Sequence, residues 1–264
     1  VYAYRIPGGD QMRKTIAFSN SKGGTGKSTL CGTVGYKISK LNSVLLIDTD
    51  PQGNLSSWYI RDNIQYELSD VLSQKANLTD AIFQVRDNLY ILPTLPTSGE
   101  LNEYAETKLY RERYAFQDLI DAASTMGFEF VLFDLSPGTH LLERSAIAVC
   151  DEVVTPIQLE YFSFDGWERF FNELEKIERE NRVRIIHNKI VMNMVNENYR
   201  RHKVYRSLVG EYDVKLYTIP QSAKVAEAQT TAQTIFEYHF ADKTIPEFER
   251  LSNEIIKSNS GILV

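Results

Sequence analysis

Cysteine is scarce in this chain, two residues in 264, which excludes a disulfide framework as the source of its stability. Cys31 and Cys150 each lie within or beside an apolar stretch, as small core residues do, and a reducing cytoplasmic setting is expected. No apolar run approaches the ~18 residues of a membrane span. The first ten residues, Val1 to Asp10, lack the basic-then-apolar order of a signal peptide. Histidine numbers four. His187 sits among apolar residues with no second histidine or cysteine at ligand spacing, and reads as a structural histidine. No Ser/His/Asp or Cys/His arrangement is present, so no covalent intermediate is expected. Internal repeats, low-complexity tracts and Pro/Gly/Ser-rich linkers are missing too. The expectation is a single domain over residues 12–264, opening near Met12-Arg-Lys, behind an extension (residues 1–11) whose native status is left open.

A general excess of positive charge is also lacking: the formal net charge is −6, which argues against a protein basic all over. The charge is unevenly spread. Residues 176–224 carry 11 Lys/Arg against 5 Asp/Glu, an excess of +6 that leaves −12 on the rest of the chain. A local basic patch remains open.

What is present is a phosphate-binding loop. Ile16, Ala17 and Phe18 form a short β-prone run that feeds Ser19-Asn-Ser-Lys-Gly-Gly-Thr-Gly-Lys-Ser-Thr29, and an amphipathic segment follows. Strand, glycine-rich loop and helix in that order place backbone N–H groups around an anion at a helix N-terminus. Gly23, Gly24 and Gly26 allow those amides to turn inward. Thr25 lies within the loop, Lys27 adds a charge for the β- and γ-phosphates, and the Ser28 hydroxyl, followed by Thr29, suits Mg²⁺. The loop departs from the usual pattern in carrying an additional lysine, Lys22, at its entrance.

Further along, Ser43–Asp48 is a continuous apolar run of the kind buried in a parallel sheet, ending in Asp48-Thr-Asp50-Pro-Gln. Residues 55–87 read as short helices, Asn88–Pro93 as a strand, and Glu100–Thr125 as one long helix ended by Met126-Gly127. Phe128–Asp134 is a strand closed by a carboxylate, the Walker B arrangement, with Asp134 near Mg²⁺. Strands follow at Glu152–Gln158, Arg184–Met194 and Val214–Pro220. Helices are expected over about 167–180, its aromatic stripe read as core packing, and over 246–258. Strands alternating with helices give an α/β fold, a doubly wound, mostly parallel sheet flanked by helices.

Three stretches resemble the ParA/MinD family of ATPases, most nearly its ParA-type members: the loop Lys22-Gly-Gly-Thr-Gly-Lys-Ser28, the segment Asp48-Thr-Asp-Pro-Gln52, and Pro156-Ile-Gln-Leu-Glu-Tyr161. The resemblance implies a P-loop NTPase of the deviant Walker A type that binds ATP and Mg²⁺. It implies that Lys22 reaches the nucleotide of a partner subunit in an ATP-dependent homodimer. Asp50 would orient the attacking water, and Asp48 would support the metal's surroundings together with Ser28 and Asp134. Leu135-Ser-Pro-Gly-Thr139 resembles switch II, with Ser136 where the family often has a second proline. Asn193 and Pro220, near two strand ends, are the remaining nucleotide-binding candidates, Asn193 as an adenine contact.

Arg200, Arg201, Lys203 and Arg206 are read as one basic helix beginning near Tyr199, several of them sharing a face. Lys224 matches a position where ParA proteins carry a DNA-facing basic residue. The resemblance implies non-specific DNA binding on the nucleoid, partition of plasmid or chromosomal DNA, and a ParB-like partner that stimulates hydrolysis. Three other readings stay in view. One is positioning of a non-DNA cargo by the same cycle. A second is a MinD-like membrane-cycling regulator, for which residues 255–264 supply one lysine and little helical character. The third is an iron–sulfur reductase, for which Cys31 and Cys150 are poorly placed.

Overall fold

Central strands buried at every position carry apolar side chains to both faces of the sheet, and each face requires a layer of helices. The computed structural model has that arrangement; it describes residue 12 and residues 14–159, 164–196, 198–200, 202, 207, 209 and 213–258. Eight strands form one sheet: β1 (Lys14–Phe18), β2 (Val44–Asp48), β3 (Phe83–Arg86), β4 (Leu89–Leu92), β5 (Phe130–Asp134), β6 (Glu152–Gln158), β7 (Ile186–Val195) and β8 (Lys215–Pro220). Their order is β3-β4-β2-β5-β1-β6-β7-β8. All neighbours are parallel except β3 and β4.

Side chains leave a strand alternately to its two faces. Ile16 and Phe18 of β1, with Val44 and Leu46 of β2, therefore meet α1 (Lys27–Ile38) and the helix near the described C-terminal end. Ala17, Leu45 and Ile47 meet the opposite layer. The helices in chain order after α1 are α2 (Asn54–Tyr59), α3 (Leu68–Leu72), α4 (Leu78–Ala81), α5 (Glu100–Thr107), α6 (Ala115–Met126), α7 (Leu141–Ile147), α8 (Phe164–Asn181), α9 (Ala223–Thr230), α10 (Ile235–Tyr238) and α11 (Ile245–Lys257). The stripe on α8 is core packing, as expected: Phe170, Leu174 and Ile177 are buried. Both cysteines are buried as well, and burial pushes their thiols well above the ordinary range. His187 lies edge-on to Phe171.

Two local expectations are corrected. Residues 55–87 are not helical throughout, because Phe83–Arg86 is a strand antiparallel to β4. Phe83 and Val85 pack toward the α1 layer, and Asn88 takes the left-handed conformation (φ 57°) that turns the chain back. The helix expected over residues 100–125 is two helices. After Thr107 the amides of Lys108 and Leu109 both bond the Tyr104 carbonyl, and the Tyr104 hydroxyl donates to Glu112 at 2.7 Å. That bond folds the charged run 110–114 back instead of continuing the helix.

At the edge of the sheet where β1 begins, three charged side chains are buried together. Glu152 makes ion pairs with both Lys14 and Lys189, and Lys14 also donates to the carbonyl (3.0 Å) and hydroxyl (2.6 Å) of Ser258. Burial lowers the Lys14 pKa against the opposing pull of Glu152. The C-terminal end of α11 is thus fastened at the end of β1 remote from the loop. Among the described residues no helix is long and apolar enough to cross a membrane.

Candidate active site

Parallel strands present their C-terminal ends on one edge, where α/β sheets place ligands. β1, β2 and β5 are adjacent, and their register sets Asp134 beside both Phe18 and Asp48. The glycine-rich loop leaves β1 here. Gly24 (φ 75°) and Gly26 (φ 88°) adopt left-handed conformations, and Gly26 is the N-cap of α1, with no side chain bonding the first amides of that helix. Those amides and the helix dipole point at one place. Gly26 is required on a second ground, since a Cβ there would lie 2.2 Å from Asn193 Nδ2.

Lys27 is buried, and its ammonium donates to the Lys22 carbonyl at 3.2 Å. Burial lowers its pKa, while the charges of Asp134, Asp50 and Glu143 oppose that shift. The cation is therefore held among carboxylates at the base of the loop. Ser28 lies beside Asp134 and favours its ionised form, but neither carboxylate oxygen of Asp134 has a hydrogen bond. An orphaned pair of carboxylate oxygens in the core is costly unless a cation or its waters complete it. Burial, with Asp48 next to it, raises the Asp134 pKa well above the carboxylate range.

Asp48 is placed differently. Its Oδ2 accepts from the amide (2.8 Å) and hydroxyl (2.7 Å) of Ser56, and its Oδ1 accepts from the Asp50 amide at 3.2 Å. It organises the turn between β2 and α2, and burial raises its pKa to about 7. That turn brings Asp50 to the cleft wall, where its Oδ1 accepts from the Gln52 amide at 2.9 Å.

Two cavities open from this edge. One, of about 690 Å³, is lined by Gly24, Gly26, Lys27, Ser28, Thr29 and Asp50 together with Trp58, Pro137 and Gln229. The other, of about 510 Å³, lies against Asn193, Pro220 and α9, and shares Thr29, Met194 and Gln229 with the first. A cavity bordered by the loop glycines, Lys27 and Ser28 that adjoins a second one beyond Thr29 matches the two ends of a nucleotide. The buried Lys27, the amides at Gly24 and Gly26, Ser28 and the orphaned Asp134 fit phosphate and a divalent ion. Among the described residues no three His, Cys, Asp or Glu side chains form a metal cluster.

The remaining expected residues are partly brought in. Gly23 faces Pro137, Thr25 is buried, and Lys22 is exposed. Asn193 lines the second cavity, yet its amide donates to the Thr25 carbonyl at 2.9 Å. It braces the loop at least as much as it faces a base. Arg200 is exposed; Arg201, Lys203 and Arg206 lie outside the described residues. Lys224 is half-buried on α9, and its charge acts on Asp242. Sequence reasoning passed over Gln158, which donates to the Gly24 carbonyl at 2.8 Å, and Gln229, which donates to the Thr29 hydroxyl at 2.9 Å. Each bond is long-range in sequence, and nothing local signals it.

Asp134→Asn tests the charge. A raised folded pKa means that the folded state takes up a proton the unfolded chain has already lost. Stability from this group is present at low pH and drains away as pH rises from the ordinary carboxylate pKa toward the folded one. The variant lacks that loss. Without nucleotide it is expected to melt above the parent at pH 8, by up to about 1.4 kcal/mol for each pH unit spanned, and the gap is expected to narrow toward pH 5. A gap independent of pH would show that Asp134 carries no such charge.

A family model described as an AAA domain matches residues 13–189. The uncharacterized protein BBD21 of Borreliella burgdorferi is 34% identical over 244 residues, covering 92% of this chain and 99% of that protein. A chromosome partitioning protein ParA of Caulobacter vibrioides is 27% identical over 252 residues, covering 92% and 94%. Among solved structures, the septum site-determining protein MinD of Pyrococcus horikoshii, complexed with Mg-ADP, superposes with a TM-score of 0.78 at 23% identity, over 92% of this chain and 96% of that one.

Proposed function

This chain belongs to the ParA/MinD family of P-loop ATPases, and from that premise we propose that it is a ParA-like DNA-partitioning ATPase. It dimerises on ATP, binds DNA without sequence preference, and is released when a cargo-bound, ParB-like partner stimulates hydrolysis. The observation that carries the catalytic part is the convergence of Lys27 and Asp50 on one cleft at the N-terminus of α1. Phosphoryl transfer to water needs little covalent chemistry from a protein; it needs charge neutralised and a water held in line. Lys27 and the amides from Gly23 to Gly26 take the triphosphate, Thr29 and Pro220 border the nucleoside side, and Asp50 holds the water. Ser28 and Asp134 would hold Mg²⁺ with its waters, while Asp48 keeps Asp50 in place. The ion, when bound, supplies charge neutralisation at the β- and γ-oxygens. Lys22, exposed on the loop, would serve a second subunit's nucleotide.

The DNA part is supported by the local +6 excess over residues 176–224 and by the exposure of Arg200. The membrane-cycling alternative loses support from α11, whose Phe248, Leu251 and Ile255 are buried in the α1 layer. The test is DNA binding against salt with ATP, ADP and no nucleotide. If each of two subunits makes about 4 phosphate contacts, the ATP-bound protein is expected to lose on the order of 10³- to 10⁵-fold in affinity between 50 and 200 mM salt. No DNA binding with ATP would remove the DNA-partition reading and leave ATP-driven positioning of another cargo.

A further inference from the structure

The segment that follows Asp134 is tied at both ends to one buried carboxylate. Glu143, on the first turn of α7, is 3% exposed. One of its oxygens accepts a short hydrogen bond from the Ser136 hydroxyl, and the other accepts from the His140 amide at 2.9 Å. Between these two points lie Pro137 and Gly138. Pro137 lines the phosphate cavity, and its ring faces Gly23 of the loop. Gly138 has φ 124°, a conformation that side-chain-bearing residues rarely adopt. The backbone here can turn easily, so something must hold it. The segment is short and both fastenings converge on the same side chain.

The loop between these fastenings borders the place where the proposed reaction occurs. Its start is covalently joined to Asp134, and its proline rests on the residue next to Lys22. A displacement of about 1 Å in such a wall can cost on the order of 100-fold in rate while leaving substrate affinity intact. Glu143 also faces the site electrically, as one of three carboxylates whose charge acts on Lys27.

We infer that Glu143 is a positioning residue for hydrolysis, holding the Leu135–His140 segment against the phosphate cavity through its bonds to Ser136 and His140. This rests on the ATPase reading above. The pin is made by hydrogen bonds, so a neutral side chain of the same shape can replace it. A glutamine at this position accepts from the His140 amide with its oxygen and donates to the Ser136 oxygen with its nitrogen. Alanine can do neither.

The experiment compares the parent with Glu143→Ala, Glu143→Gln, Ser136→Ala and the Ser136→Ala/Glu143→Ala pair. Affinity for a fluorescent ATP analogue, single-turnover ATP hydrolysis and amide hydrogen exchange over 135–140 are measured. Glu143→Ala is expected to slow hydrolysis about tenfold to a hundredfold with nucleotide affinity changed less than about threefold, and to speed exchange at His140. Glu143→Gln should recover most of the rate, and the double variant should be no slower than Glu143→Ala, because both changes break one unit. Equal rates in the parent and Glu143→Ala overturn the inference. So does a Glu143→Gln protein as slow as Glu143→Ala, which would assign the effect to charge on Lys27. Rate and affinity falling together overturn it as well, by marking a binding or folding role. A parent protein that binds ATP and never hydrolyses it removes the ATPase reading and this inference with it, whereas the outcomes above leave that reading standing.

Discussion

Lys27→Ala protein is expected to bind ATP at least about a hundredfold more weakly than the parent and to show no measurable hydrolysis. The lost interaction is a charge-assisted contact to phosphate, worth up to ~3 kcal/mol. The variant also leaves Asp134, Asp50 and Glu143 facing the cleft without the cation whose pKa they act upon, so an incoming triphosphate meets unopposed negative charge. Binding read by titration with a fluorescent analogue, beside a phosphate-release assay, measures both effects. Because burial already disfavours the Lys27 ammonium, the unliganded variant is expected to stay folded and unfold cooperatively. Loss of nucleotide affinity in a folded protein is what separates a binding role from a structural one. Unaltered binding and turnover would refute the phosphate assignment of this lysine.

The second large effect concerns assembly. Asp50→Ala protein, which lacks the carboxylate proposed to hold the water, is expected to sediment as a dimer with ATP and Mg²⁺ and as a monomer with ADP. Adding Lys22→Ala should return it to monomer even with ATP. Lys22 is exposed, while its carbonyl accepts from the buried Lys27 ammonium. On the proposed reading the buried Lys27 serves the subunit's own phosphates, and the exposed Lys22 serves those of a second subunit. A triphosphate shared between two such sites acts as a removable bridge between subunits, and hydrolysis dissolves it. Identical sedimentation of Asp50→Ala with and without ATP would sink this proposal and leave the Lys27 prediction untouched.

Much of the frame was legible in sequence because it rests on short-range rules. Apolar runs such as Ser43–Asp48 are readable as buried parallel strands, and a glycine-rich loop between strand and helix is readable as an anion site. The errors fell where local pattern competes with long-range contact. Phe83–Arg86 follows three short helices and has only four residues, so its pairing with β4 decided its state. The break after Thr107 depends on Tyr104 meeting Glu112 across a reversal of the chain. Neither signal exists in a helical window.

The candidate site divides in the same way. Gly23 to Thr29 are recognisable because their chemistry needs fixed spacing along one segment, Asp134 because it closes an apolar strand, and Asp50 through the resemblance of Asp48-Thr-Asp-Pro-Gln52. Sequence by itself determined which residue types stand at the ends of β1, β2 and β5, since a strand's end is set by its own apolar run. The tertiary structure decided that Asp134 is left without a hydrogen-bond partner while Asp48 is consumed in bracing the turn to Asp50. It also decided that Asn193 and Gln158 hold the loop from β7 and β6, and that one glutamate fastens both ends of the segment after Asp134. The physical reason is that hydrogen bonds between distant segments depend on register and crossing order, which no local periodicity encodes.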